Sequence, residues 1–173
     1  MTLQNFIAGL NWRQILMHFI AFWFFIHAFQ TLSYLYDTKV IDTVRQSNRQ
    51  LKSQILADNK IEASDLTYFV LWTNFSGFVG LLVAFIISLT ILIRRRWFWI
   101  NALLVFILTY TLYRFDLLGW TYLRKLYLFL GKVFNNSTFE YLFSGIVLLT
   151  IGLLIFFLRR PKQFVERDNM VTM

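Results

Sequence analysis

The chain contains no cysteine. That absence removes disulfide stapling, thiolate catalysis, thiolate metal sites and quinone-linked dithiol exchange, but it says nothing firm about compartment, because a bilayer itself supplies stability. Charge is also scarce: Asp, Glu, Lys and Arg make up 15% of the residues, and no acid falls near the centre of a long apolar run. Proton-relay transporters and two-aspartate intramembrane proteases need carboxylates at depth, so both are disfavoured; Asp116 and Glu140 sit only near helix ends. The Gly-x-Ser-x-Gly turn of serine hydrolases, a Gly-rich phosphate loop and zinc-ligand spacing are absent as well. Histidine occurs twice, at His18 and His27. Nine residues of α-helix separate the two by ~13.5 Å of rise and about 180° of rotation, so they cannot hold one iron from within a single chain. No cofactor, metal or catalytic residue is expected.

What the chain does contain is apolar. Hydrophobic residues make up 58% of it, aromatics 20%, with 20 Phe, and the mean hydropathy is +0.57. These values lie far above those of an ordinary globular domain. Four runs carry most of the length: Ile15 to Tyr36, Leu66 to Ile93, Trp97 to Tyr113 and Tyr141 to Leu158. Each is near the ~20 residues that an α-helix needs to cross ~30 Å of hydrocarbon. Before the first run, 1–14 carries only one charged side chain, Arg13, and no small-residue cleavage site, so run one is expected to stay as a helix. Tyr34 and Tyr36 end that run, and Trp97, Trp99, Tyr110 and Tyr113 bracket run three, as aromatics do at membrane interfaces.

The expected fold is an all-α integral membrane protein: four transmembrane helices in a bundle, a polar extramembrane helix between helices 1 and 2, and an interfacial or re-entrant helix between helices 3 and 4. A single polytopic domain, 1–173, divides into transmembrane helix 1 at 15–36, a polar helical segment at 37–65, helix 2 at 66–93 and helix 3 at 97–113. An interfacial segment at 114–138, helix 4 at 141–158 and a cytoplasmic tail at 159–173 complete it. The polar segment lacks Pro and Gly, and Val44, Asn48, Leu51 and Ile55 form one stripe that packs on its own return segment, on the bilayer or on a partner protein. Ser64 reads as the N-cap of helix 2.

Even crossings put both termini on one side. Lys and Arg nearly tie between the two sides, but the Arg94, Arg95, Arg96 triplet and the Arg159, Arg160, Lys162 cluster lie close to helix ends. The positive-inside rule therefore places both termini in the cytoplasm, in a cytoplasmic (inner) membrane. The net charge of +8 belongs to membrane edges, so membrane lipids and not nucleic acid are the expected partners. Headgroup contact is assigned to Arg94, Arg95, Arg96, Arg124, Lys125, Lys132, Arg159 and Arg160.

Inside the membrane, Ser76, Gly80, Ala84 and Ser88 recur every four residues. Little hydrophobic force draws helices together in lipid, so a ridge of small residues marks where backbones approach closely. Gly145 and Gly152 repeat the theme in run four, and runs two and four are expected to pair. The ridge serves internal packing or docks a separate membrane subunit. The polar intramembrane residues are His18, His27, Gln30, Thr73, Asn74 and Asn101; His18 is expected as an interfacial anchor, and His27 with Gln30 as a hydrogen-bonding pair toward a neighbouring helix. The functional expectation is a non-catalytic subunit or accessory of a larger complex with other integral membrane proteins. The alternative is a small transporter or channel component with a pathway near Thr73, Asn74, Ser76 and Asn101. A haem-binding or lipid-modifying enzyme ranks third.

Overall fold

The computed structural model describes residues 10–46, 61–94, 99–115, 117 and 136–157. Among them every regular element is helical. Helix α1 spans Trp12–Ser33 and tightens into a 3-10 turn at Tyr34–Tyr36; α2 is Thr38–Gln46, α3 is Ala63–Arg94, α4 is Ile100–Arg114 and α5 is Ser137–Phe157. Three helical stretches are long and apolar enough to cross a membrane: Trp12–Tyr36, Ala63–Arg94 and Ser137–Phe157. α4 is apolar but only 15 residues long, about 22 Å, which falls short of the hydrocarbon thickness. The expected third crossing at 97–113 is therefore not established by length; its positions 97 and 98 lie outside the described residues.

Local hydrogen bonds explain where the helices begin, and they shift several expected boundaries. Asn11 caps α1 by accepting from the Gln14 amide at 3.2 Å, three residues ahead of Ile15. At α3, the Glu62 amide donates to Asp65 Oδ2 at 2.9 Å, while the Asp65 and Leu66 amides donate to the Glu62 carbonyl. Glu62 is thus the cap, and Ser64, expected in that role, is the second residue of the helix, with its hydroxyl donating to Glu62 Oε2. Asn136 Oδ1 accepts from the Thr138 amide at 3.0 Å and opens α5 ahead of Tyr141. Asp37, in extended backbone, accepts from the Val40 amide at 3.1 Å and opens α2. The polar segment therefore starts a new helix and does not prolong α1. α2 is held by the buried Val40 and by the Tyr141 hydroxyl, which donates to Asp42 Oδ1 at 2.9 Å. The stripe through Asn48, Leu51 and Ile55 lies outside the described residues, as do the side chain of Val44 and nearly all of 114–138.

The bundle is organised around α1. It packs against α3, α4 and α5, and α4 also packs on α3. Of the membrane-length windows, 56% of residues are buried in Trp12–Tyr36, against 44% in Ala63–Arg94 and 33% in Ser137–Phe157, which identifies α1 as the central helix. Ala21, Phe22, Ile26 and Ala28 are fully enclosed. α3 runs antiparallel to α1, as the contact of Gly80 with Phe25 and of Ser88 with His18 shows. α5 is antiparallel to α1 as well: Gly152 lies against Phe24 and Phe25, and Gly145 against Leu32. The ring pairs Phe85–Phe106 at 4.8 Å and Phe78–Tyr110 at 6.2 Å set α4 antiparallel to α3.

The pairing of runs two and four expected from their glycines is thus incorrect. Both glycine faces are real packing surfaces, but each meets α1: the Phe25 carbonyl and Phe29 lie over Gly80, Leu32 over Gly145 and the Phe25 ring over Gly152. The three glycines differ in what stands opposite. A Cβ at position 80 would lie 2.7 Å from the carbonyl oxygen of Phe25, which is helix backbone, whereas at 145 it would crowd the side chain of Leu32 and meet backbone only at the Ala28 carbonyl oxygen, at an ordinary 3.5 Å. Gly80→Ala is expected to destabilise the bundle by roughly 1–3 kcal/mol, because α1 and α3 must separate. Gly145→Ala should cost less than about 1 kcal/mol, since Leu32 can turn aside and alanine favours the helix. Unfolding of the two variants in the same detergent by denaturant titration checks the order.

Candidate functional site

The polar side chains of α1 provide the chemistry inside the bundle, and their helical spacing divides them between two levels. Nearly two turns from the Trp12 end, His18 Nδ1 lies 2.7 Å from the hydroxyl oxygen of Ser88 on α3. Both groups are buried, and the His18 ring meets Phe156 of α5 edge-on at 5.1 Å. His18 is therefore a helix–helix link and not the interfacial anchor expected. A serine beside a histidine is the first half of a hydrolase arrangement, but Ser88 is sealed between α1 and α3 with no exposed surface. A hydrogen bond between helices is what this geometry performs.

Nearer the other end, a directional chain runs through three helices. His27 Nδ1 and Gln30 Oε1 are 3.1 Å apart, Gln30 Nε2 donates to the Tyr113 hydroxyl at 3.4 Å, and that hydroxyl donates to the Asn74 carbonyl at 2.8 Å. Gln30 has one acceptor and one donor end, so the sequence of donors fixes the His27 proton on Nδ1. Gly77 makes the arrangement possible: a Cβ there would sit 2.5 Å from the Tyr113 oxygen and 2.9 Å from Gln30 Nε2. Ser33 donates to the Gln30 carbonyl at 2.7 Å and approaches Thr73 Oγ1 at 3.5 Å. Thr31 and Thr109 donate back to carbonyls four residues earlier, the usual way a buried threonine satisfies itself in a helix.

No protein family, curated protein or solved structure matches the chain. The assignment of a role therefore rests on the chemistry of these side chains. Among the described residues no group of three or more His, Cys, Asp or Glu is placed to hold a metal ion. His18 and His27 lie at separate levels with separate partners, and no position between them brings both imidazoles to one ligand.

Of the residues expected in the helix-packing set, Ser76, Gly80, Ala84 and Ser88 are all buried on one face of α3, and Gly80 and Ser88 touch α1 directly. Gly145 and Gly152 are buried on α5. The polar residues named for a pathway do not converge. Thr73 and Asn74 lie near Ser33 and Tyr113, while Asn101 begins α4, twelve residues or about 18 Å from Tyr113. Asn74 is exposed and takes part through its carbonyl, not through the side chain expected to seek a partner. Arg94 is exposed at the end of α3; Arg95, Arg96, Arg124, Lys125, Lys132, Arg159 and Arg160 lie outside the described residues. Tyr113 was assigned to the interface by its residue type, yet its hydroxyl turns inward. Only its spacing from Tyr110, three residues earlier and exposed, separates the two tyrosines in sequence, and that spacing carries no polarity signal.

Two buried oxygens, Asn101 Oδ1 and Ser144 Oγ, have no hydrogen-bond partner among the described residues. The contrast between Ser88 and Ser144 gives a direct test. Ser88→Ala strands a buried imidazole nitrogen and should cost roughly 0.6–2 kcal/mol. Ser144→Ala removes a hydroxyl that bonds nothing among the described residues and should leave stability within about 0.5 kcal/mol of the parent, or raise it. Thermal unfolding of the detergent-solubilised variants reads the difference.

Proposed function

We propose that the chain is a non-catalytic subunit or accessory of a larger membrane assembly, crossing an inner membrane four times with both termini in the cytoplasm. The observation that carries this reading is the division of labour on α3. Its small-residue face is filled by α1, and its other face presents Tyr68, Leu71, Trp72 and Phe75, all exposed, next to Tyr36. Together these five line an open groove of about 320 Å³. Tyr36 and Trp72 lean on each other at 5.5 Å, and Trp72 on Phe75 at 6.1 Å, so the wall is pre-ordered. A broad, rigid aromatic face beside a membrane helix suits contact with a helix of another protein. The small-residue ridge, expected as a second candidate for that role, is not free to take it.

The interior supports a structural role as well. The hydrogen-bond chain from His27 ends on the Asn74 backbone carbonyl, which does not take up and pass on a proton, so this chain ties helices together and conducts nothing. The fourth crossing is supported by α4 lying alongside α3 from Phe78 to Phe85, within the most apolar part of that helix.

Two experiments test the proposal. The tagged chain, purified in mild detergent, should retain defined membrane proteins in stoichiometric amount by mass spectrometry, and Trp72→Ala with Phe75→Ala should release them while leaving helix content unchanged; recovery of the chain alone would remove the subunit reading. Because the chain has no cysteine of its own, single cysteines at Thr2 and Thr172 report topology directly. Both should react with a membrane-impermeant maleimide only from the cytoplasmic face. Labelling from opposite faces would mean an odd number of crossings.

A further inference from the structure

The central position of α1 has a geometric consequence at the other end of the bundle. α3 and α5 are both antiparallel to α1, so they run parallel to each other, and each packs principally on α1. Their C-terminal ends are left with a cleft between them. It is lined by Ile86, Ile87, Thr90, Ile91 and Arg94 of α3 and by Phe157 of α5, and it encloses about 370 Å³. Ile86 and Phe157 are more than half exposed along its walls, while Ile91 forms a buried floor. The Thr90 hydroxyl is bonded to the Ile86 carbonyl at 2.8 Å, which leaves the cleft no free polar group along its length. From Ile86 to Arg94 the cleft follows eight residues, about 12 Å of helix.

Among the described residues that line the cleft, the one charged group is at the mouth. Arg94 is exposed in the last turn of α3 and pairs with no acid among the described residues. In sequence, Arg95 and Arg96 follow Arg94, and Arg159 and Arg160 follow shortly after Phe157. An apolar slot ending in an unpaired guanidinium at the membrane boundary matches one kind of molecule: a hydrocarbon chain with an anionic phosphate at its end. We infer that the cleft between the C-terminal ends of α3 and α5 is a binding site for a single anionic phospholipid, with an acyl chain along Ile86, Ile87 and Phe157 and the phosphate on Arg94. This site is independent of the aromatic groove at the opposite end, so it stands or falls apart from the subunit reading.

The test uses the purified full chain in mild detergent, with native mass spectrometry to count retained lipid and thermal unfolding to read its effect. Dioleoylphosphatidylglycerol should be retained at one copy and raise the melting temperature, and dioleoylphosphatidylcholine should do neither. Arg94→Gln is expected to weaken retention about fivefold, the effect of losing one basic residue at an anionic headgroup. Thr90→Phe fills the cleft while pointing away from the core; it should abolish retention without lowering the melting temperature measured free of lipid. That second variant separates the cleft from general attraction to the neighbouring arginines. Equal retention of the two lipids, or unchanged phosphatidylglycerol binding in Thr90→Phe, would overturn the assignment. So would stabilisation by inorganic phosphate alone to the same extent, which would reduce the site to a headgroup charge. A dimer that forms in place of lipid binding and is broken by Thr90→Phe would give the cleft to a second copy of the chain and overturn it likewise.

Discussion

The approach of two helix backbones at Gly80 is the constraint on which the bundle depends. In hydrocarbon a leucine gains nothing by leaving lipid for protein, so helices hold together only where they touch over a large area or exchange hydrogen bonds. At Gly80 the Phe25 carbonyl comes so near that no side chain fits. That closeness sets the distance between α1 and α3 along their whole length, and it brings Ser88 within reach of His18 at one end and Thr73 within reach of Ser33 at the other. Gly152 performs the same task for α5, where the Phe25 ring occupies the space of the absent Cβ. Phe25 thus serves both contacts, with its carbonyl toward α3 and its ring toward α5, and the core that includes Phe22, Phe156, Leu81 and Ala84 closes around it.

Hydrogen bonds then fix rotation where packing fixes distance. A helix lying in a smooth groove can turn about its axis at little cost, whereas His18 with Ser88, and Gln30 with Tyr113, are satisfied at one rotation only. The two levels are set apart along α1 and both reach α3: His18 through Ser88, and Gln30 against Gly77 and, by way of Tyr113 of α4, to the Asn74 carbonyl. The aromatic contacts of Tyr34 with Phe69 at 5.8 Å and with Tyr141 at 5.4 Å close the Asp37 end over both outer helices.

Much of this was legible in the sequence, and the parts that were not share a cause. Run lengths pointed to four crossings, and three of those runs form helices of membrane-crossing length, since apolar length is a property of one segment at a time. The small-residue ridge and the two glycines of run four marked real packing faces for the same reason. Which helix fills a face is a property of pairs, and nothing in the residues of α3 or α5 names α1 as their common neighbour; the abundance of Phe along α1, which covers Gly80 and Gly152, read only as hydrophobicity. The cap of α3 was misplaced because Glu62 and Ser64 stand two residues apart at its start, both with polar side chains, and only geometry decides which one lies outside the helix. Asn74 and Tyr113 exchanged expected roles, since the bond between them uses a backbone carbonyl, which every residue carries.

A hub of this kind also orders events during synthesis. Of the described helices α1 is made first, and it reaches the bilayer with His18, His27, Gln30 and Ser33 facing lipid. Ser88 lies seventy residues downstream of His18, and Tyr113 eighty-three downstream of Gln30. Until those segments have been translated, the helix that ends as the best covered is the one most at odds with its surroundings. The hydrogen bonds that leave α1 are therefore the last to form in chain order, after α3 and α4 have been made, whereas those of His27 and Ser33 with Gln30 lie within α1 itself.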